Sequence, residues 1–169
     1  MRRATILATA TVLAACSSAP APSSPAPATT DVSVAPTGDM AHLSAVRLSP
    51  ESGHDRLELQ FADRVPGYTV GYRPLPAHAD ASGFEIPLPG ATAMVQITLT
   101  PATGEGWGGT PRTYLGPAAV SADTASVTEV KAAGDFEAVL TWVAGLRARV
   151  PFQVHVLAEP PRLVVDFAN

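Results

Sequence analysis

The strongest constraint on this chain is a two-residue hydrophobic period that recurs along most of its length. Leu57, Leu59 and Phe61 are separated by Glu58 and Gln60, and Val95, Ile97 and Leu99 by Gln96 and Thr98. Successive side chains of a strand point to opposite faces, so this spacing predicts ribbons with one apolar and one wet face. Val150, Phe152, Val154 and Val156 repeat the pattern, as do Leu163, Val165 and Phe167 after Pro160-Pro161. Further strands are expected at 43–48, 68–72, 127–131 and 136–143, giving about eight. Turn residues fall between them at 50–53, 66–67, 74–83, 101–111, 134–135 and 144–145. With 17 Pro and 13 Gly, long helices are disfavoured. A helix is conceivable only over 116–125. The pattern predicts a mainly β, antiparallel sandwich or barrel.

The first forty residues read as an address and a spacer. Arg2 and Arg3 precede an apolar stretch over 4–15, interrupted by Thr5, Thr9 and Thr11. A spanning helix needs about 20 apolar residues, so residues 1–15 are expected to be a cleaved signal peptide. Leu13-Ala14-Ala15-Cys16 resembles the bacterial lipobox, in which the cysteine is lipidated. Cys16 is the only cysteine, so an intrachain disulfide is impossible, and lipidation accounts for its position. The mature protein is thus expected to be anchored to the cell membrane through lipid on Cys16, on the extracytoplasmic face. Residues 16–39, rich in Ser, Ala, Pro and Thr, are expected to form a disordered tether, leaving 40–169 as the globular domain.

Charge and motif exclude several activities. The formal net charge is −4, and removal of Arg2 and Arg3 lowers it to −6, with no basic run to displace counterions from phosphates. Nucleic acid is not expected as a partner. No nucleophile elbow or phosphate-binding loop is present. Gly104-Glu105-Gly106-Trp107-Gly108-Gly109 is followed by Pro111 rather than a helix, so it does not cradle phosphate. His42, His54, His78 and His155 lack metal-ligand spacing, and neither a metal nor another cofactor is expected. Carboxylates such as Glu58, Asp63, Asp80, Glu105 and Asp135 fall on wet faces or in turns.

Four segments together carry a family resemblance. They are His54-Asp55-Arg56-Leu57-Glu58-Leu59-Gln60-Phe61, Pro66-Gly67-Tyr68-Thr69-Val70, Gly134-Asp135-Phe136-Glu137 with Thr141-Trp142-Val143, and Pro160-Pro161-Arg162-Leu163-Val164-Val165-Asp166-Phe167. The set resembles the AMIN-like domain of actinobacterial lipoproteins, and its last segment resembles the end of the AMIN domain that accompanies cell-wall amidases and pilus secretins. The resemblance implies an antiparallel two-sheet β-sandwich acting as a non-catalytic envelope module, contacting peptidoglycan or another wall glycan. The sequence contains neither an amidase catalytic region nor a secretin pore region, so function is expected to rest on the module alone.

For a glycan, the loop carrying Trp107, Arg112 and Tyr114 offers aromatic faces for sugar rings and a guanidinium for their hydroxyls. The competing expectations are a protein-interaction subunit of an envelope complex and, behind it, a wall-glycan hydrolase using two carboxylates. Arg162 and Asp166 share a strand face with Val164 and invite an ion pair there.

Overall fold

A computed structural model describes residues 27–106 and 108–169; the expected signal peptide, Cys16, the first part of the expected tether and Trp107 lie outside the described residues. Thirteen strands and no helix occur among the described residues. They are β1 (Val32–Val34), β2 (Ala41–Glu51), β3 (His54–Phe61), β4 (Gly67–Arg73), β5 (Ala77–His78), β6 (Glu85–Ile86), β7 (Ala93–Thr100), β8 (Ala102–Thr103), β9 (Ala119–Val120), β10 (Val127–Phe136), β11 (Val139–Leu146), β12 (Phe152–Ala158) and β13 (Pro161–Ala168). One sheet runs β12-β13-β3-β2-β8 and the other β1-β4-β7-β11-β10-β9, antiparallel except for the β2–β8 pair. The two form a sandwich.

The period-two rows meet between the sheets. Leu43, Leu57, Leu59, Phe61, Phe152, Leu163, Val165 and Phe167 from one sheet pack with Val70, Ile97, Leu99, Leu140, Trp142 and Leu146 from the other, all nearly inaccessible. Burial of each large aliphatic or aromatic side chain contributes about 1.5–3 kcal/mol, and this core holds the two layers together. A smaller cluster of Ala77, Met94, Ala133 and Val143 lies under the β5–β6 hairpin, which covers part of the second sheet's outer face.

The eight expected strands appear as β2, β3, β4, β7, β10, β11, β12 and β13, with three local differences. Gly134-Asp135 and Ala144-Gly145, read as turns, lie inside β10 and β11. These glycines answer to packing instead: a Cβ on Gly134 would come within 2.5 Å of the Asp80 carboxylate, and β10 shifts register between Ala132 and Gly134. Over 116–125 there is no helix, only the short β9.

The true β10–β11 turn is Glu137-Ala138, both with positive φ, 48° and 65°. A two-residue hairpin asks for this conformation and usually fills it with Asn-Gly. Ala138→Gly is therefore expected to stabilise the protein by about 1 kcal/mol by relieving the left-handed alanine. An upward shift of the urea midpoint at constant slope is the readout; a downward shift would mean that flexibility gained by the unfolded chain outweighs the relief.

Residues 27–39 differ from the free tether that their composition suggests. β1 pairs antiparallel with β4, and Ala28 exchanges two hydrogen bonds with Phe152 of β12, 2.7 and 2.9 Å. One short strap therefore pairs with an edge of each sheet. Arg73 holds Asp31 through bonds of 3.0 and 2.9 Å, Arg149 donates to Thr29 O at 2.8 Å, and Arg64 donates to Thr37 O at 2.7 Å. Gly67 permits the contact, since a Cβ there would sit 2.5 Å from Pro36 Cα. The Arg73 guanidinium keeps the Asp31 carboxyl below its ordinary value, so this link contributes above the ordinary aspartate range and is lost as pH falls through the lowered one. Edge pairing supplies what the composition lacks in apolar burial.

Candidate functional site

The loop between β8 and β9 is clamped at its base by Asp135 of β10. Asp135 Oδ2 accepts the N–H groups of Gly104 at 2.7 Å and Glu105 at 3.0 Å. Gly104 O in turn accepts those of Thr113 and Tyr114, both at 2.9 Å, so the outgoing and returning chain are joined. Above the clamp a concavity of about 210 Å³ opens, with Arg112, Glu105 and Asp135 among its polar lining and Tyr114, Leu140 and Trp142 among its apolar lining. It is smaller than the roughly 300–1,000 Å³ of typical small-molecule sites, so it fits one ring or substituent of a larger ligand.

Two of the three residues singled out in the sequence line this concavity, but in unequal roles. Arg112 is about half exposed and pairs with Glu105 at 2.8 Å across the mouth. Tyr114, expected on an exposed loop, is only 6% accessible. Its ring meets Trp142 edge-on, with centroids 5.5 Å apart at 85°, and its hydroxyl donates to Pro117 O at 2.7 Å. Burial pushes the Tyr114 phenol above its ordinary value, partly opposed by the Arg112 charge. Packing on the aromatic core explains the difference: a ring flanked by Trp142 and Leu140 gains more by burial than by waiting in water for a sugar. Tyr114 thus forms the wall, and Arg112 is the exposed, hydrogen-bonding group.

This division gives a test. Tyr114→Ala should lower stability by about 3–4 kcal/mol, as for other buried aromatics cut to alanine, whereas Arg112→Ala should stay within about 0.5 kcal/mol. Urea unfolding of both variants decides it, and equal effects would contradict the assignment of wall and mouth.

Glu105 and Asp135 are two carboxylates on one concavity, the composition a glycosidase would need. Both already have structural partners, Glu105 in the Arg112 pair and Asp135 under two backbone amides. The arrangement positions a loop. Trp142, expected on a strand, is on β11 and 1% accessible, and its Nε1 has no hydrogen-bond partner among the described residues.

The ion pairs on the outer face of the first sheet run across strands. Arg56 grips Asp166 with Nε and Nη2, both at 2.8 Å, and Arg162 reaches Glu58 at 3.0 Å. Arg162 and Asp166 do not pair, because four residues along a strand span about 13 Å, while Arg56 stands directly opposite Asp166. No group of three or more metal-ligating side chains occurs among the described residues.

Compared with known proteins, residues 41–169 match a family model described as the AMIN-like domain. No curated protein and no solved structure matches the chain. Domains of this kind are generally non-catalytic, envelope-associated binding modules.

Proposed function

The chain belongs to the AMIN-like domain family, and on that premise we propose that it is a membrane-anchored lipoprotein whose domain holds a wall glycan, peptidoglycan above all, without catalysing a reaction on it. The observation that supports the reading is the concavity beneath the 104–114 loop. It combines an apolar wall with a half-exposed Arg112–Glu105 pair that can exchange its partners for sugar hydroxyls. The domain's acidic balance disfavours attraction to anionic polymers and leaves hydrogen bonding and ring contact as the means of holding. Signal cleavage and lipid on Cys16 account for delivery to the envelope and retention at the membrane.

Co-sedimentation of the full-length protein with purified sacculi tests the glycan contact. Wild type is expected to pellet with the wall, and Arg112→Ala to pellet about tenfold more weakly at unchanged stability. Equal retention of the two would move the contact away from this concavity, and no retention of either would remove the glycan reading.

One observation favours a second reading, a protein partner in an envelope complex. Beyond its bridge to Ala28, the edge strand β12 carries exposed Val156 and Leu157, a place where another strand can add. Crosslinking in intact cells to one dominant protein, without wall retention, would select it.

A further inference from the structure

Nearly every polar side chain on the outer face of the first sheet is matched. Arg47 donates to Gln60 at 2.9 Å, Arg162 to Glu58 at 3.0 Å, and Arg56 forks onto Asp166. At one end of this face the matching stops. His54, Gln153 and His155 make no side-chain hydrogen bond among the described residues, and all three line a concavity of about 460 Å³, walled further by Pro27, Pro151 and Ala168. Its volume is within the range of small-molecule sites.

Asp166 stands beside both histidines without forming a hydrogen bond to either ring. His155 Nε2 stands 3.3 Å from Oδ2 and His54 Nε2 stands 3.6 Å from Oδ1, contacts that become ion pairs only when the rings are protonated and that are longer than the usual N–H···O bond, while Arg56 already donates to each oxygen at 2.8 Å. The His54 Nε2 is inaccessible and has no hydrogen-bond partner among the described residues, although its ring is about a quarter exposed. Leaving half-buried polar groups without a full set of hydrogen bonds is unfavourable, and here three from three different positions converge on one hollow.

We propose that this hollow is a second binding site, for a neutral, hydroxyl-rich ligand of the saccharide class. The formal charges of Arg56 and Asp166 cancel each other, so when the imidazoles are neutral the site favours an uncharged ligand. Each neutral imidazole offers one donor and one acceptor, and the Gln153 carboxamide offers both kinds. Hydroxyl groups, which donate and accept together, match that set. A carboxylate or phosphate would confront the imidazole lone pairs and Asp166, and an ammonium would confront Arg56. The proline rings supply short apolar walls for a sugar's C–H face. The site shares no residue with the Arg112 concavity and does not depend on it.

The test is a side-chain NMR titration of the full-length protein at pH 8, with chitotriose, maltotriose and inorganic phosphate as separate probes. At millimolar concentrations at least one of the two neutral trisaccharides is expected to shift the ring signals of His54 and His155 and the side-chain amide of Gln153, leaving those of His42 and His78 in place. Gln153→Leu combined with His155→Phe should weaken the response of His54 about tenfold, and Arg112→Ala should leave it intact, which separates this site from the one proposed above. Absence of any shift with both saccharides would overturn the proposal, as would shifts with phosphate alone, which would make it an anion site.

Discussion

Replacing Asp55 with alanine is expected to destabilise the protein by roughly 3–5 kcal/mol, the largest loss from any single side chain outside the apolar core. Asp55 lies in the inward row of β3 with Leu57, Leu59 and Phe61 and is fully buried. Its carboxylate accepts three backbone N–H groups from the segment entering β10: Ser126 at 2.6 Å, Val127 at 2.8 Å and Ala125 at 3.2 Å. The same segment is held by Ser126 Oγ donating to Ala168 O and Thr124 Oγ1 donating to Val127 O, both at 2.7 Å. Asp55 therefore ties the first sheet to the start of the second, and alanine would orphan three donors where water has little access. Asp55→Asn should lose at least half as much, because its NH2 group brings a donor against donors. Urea midpoints at unchanged slope measure both, and a loss under about 1 kcal/mol for alanine would show that the segment finds other acceptors.

That carboxylate illustrates what the sequence discloses and what it hides. Parity alone puts Asp55 on the buried face, since it shares odd numbering with Leu57, Leu59 and Phe61, yet parity says nothing about the amides that receive it. Those come from residues about seventy positions away. The sandwich was legible because alternation is a local signal that every strand repeats. Turns were legible where proline marks them, and misread at Gly134 and Gly145, where a glycine serves close packing within a strand. The strap over 28–39 was hidden for the opposite reason. Its residues have no apolar period, and its order rests on backbone pairing with edges that composition cannot reveal.

The candidate sites divide the same way. Arg112 was singled out from chemistry, as a guanidinium beside aromatic residues in a long loop, and its ion pair with Glu105 was not legible because the loop's fold sets it. Tyr114 was found by the same reasoning but its exposure was misjudged, since Trp142, which receives its ring, is 28 positions distant and its burial depends on the β10–β11 hairpin. The group formed by His54, Gln153 and His155 had one available signal: His155 and Gln153 alternate with Val154 on the wet face of a strand. What brings them beside His54 is the order β12-β13-β3, a non-local fact.

Cys16→Ala is expected to abolish membrane attachment altogether. In a lipoprotein of the kind proposed, the acyl chains on this residue are the whole anchor, each buried methylene contributing about 0.8 kcal/mol. One chain alone holds only marginally, and the two or three of a bacterial lipoprotein hold firmly. No helix among the described residues is long and apolar enough to cross a membrane, and the sequence offers a net negative charge with no basic run to bind anionic lipid instead. Loss of the thiol should therefore remove every acyl chain in one step, with no intermediate affinity. Metabolic labelling with a clickable fatty acid, followed by fractionation, reads both consequences: the label should vanish from the variant, and the protein should move to the soluble fraction. Label retained on the variant would refute Cys16 as the attachment point. Membrane retention without label would assign the anchor to an uncleaved 1–15 segment, and the short apolar stretch there would then be holding the protein by itself.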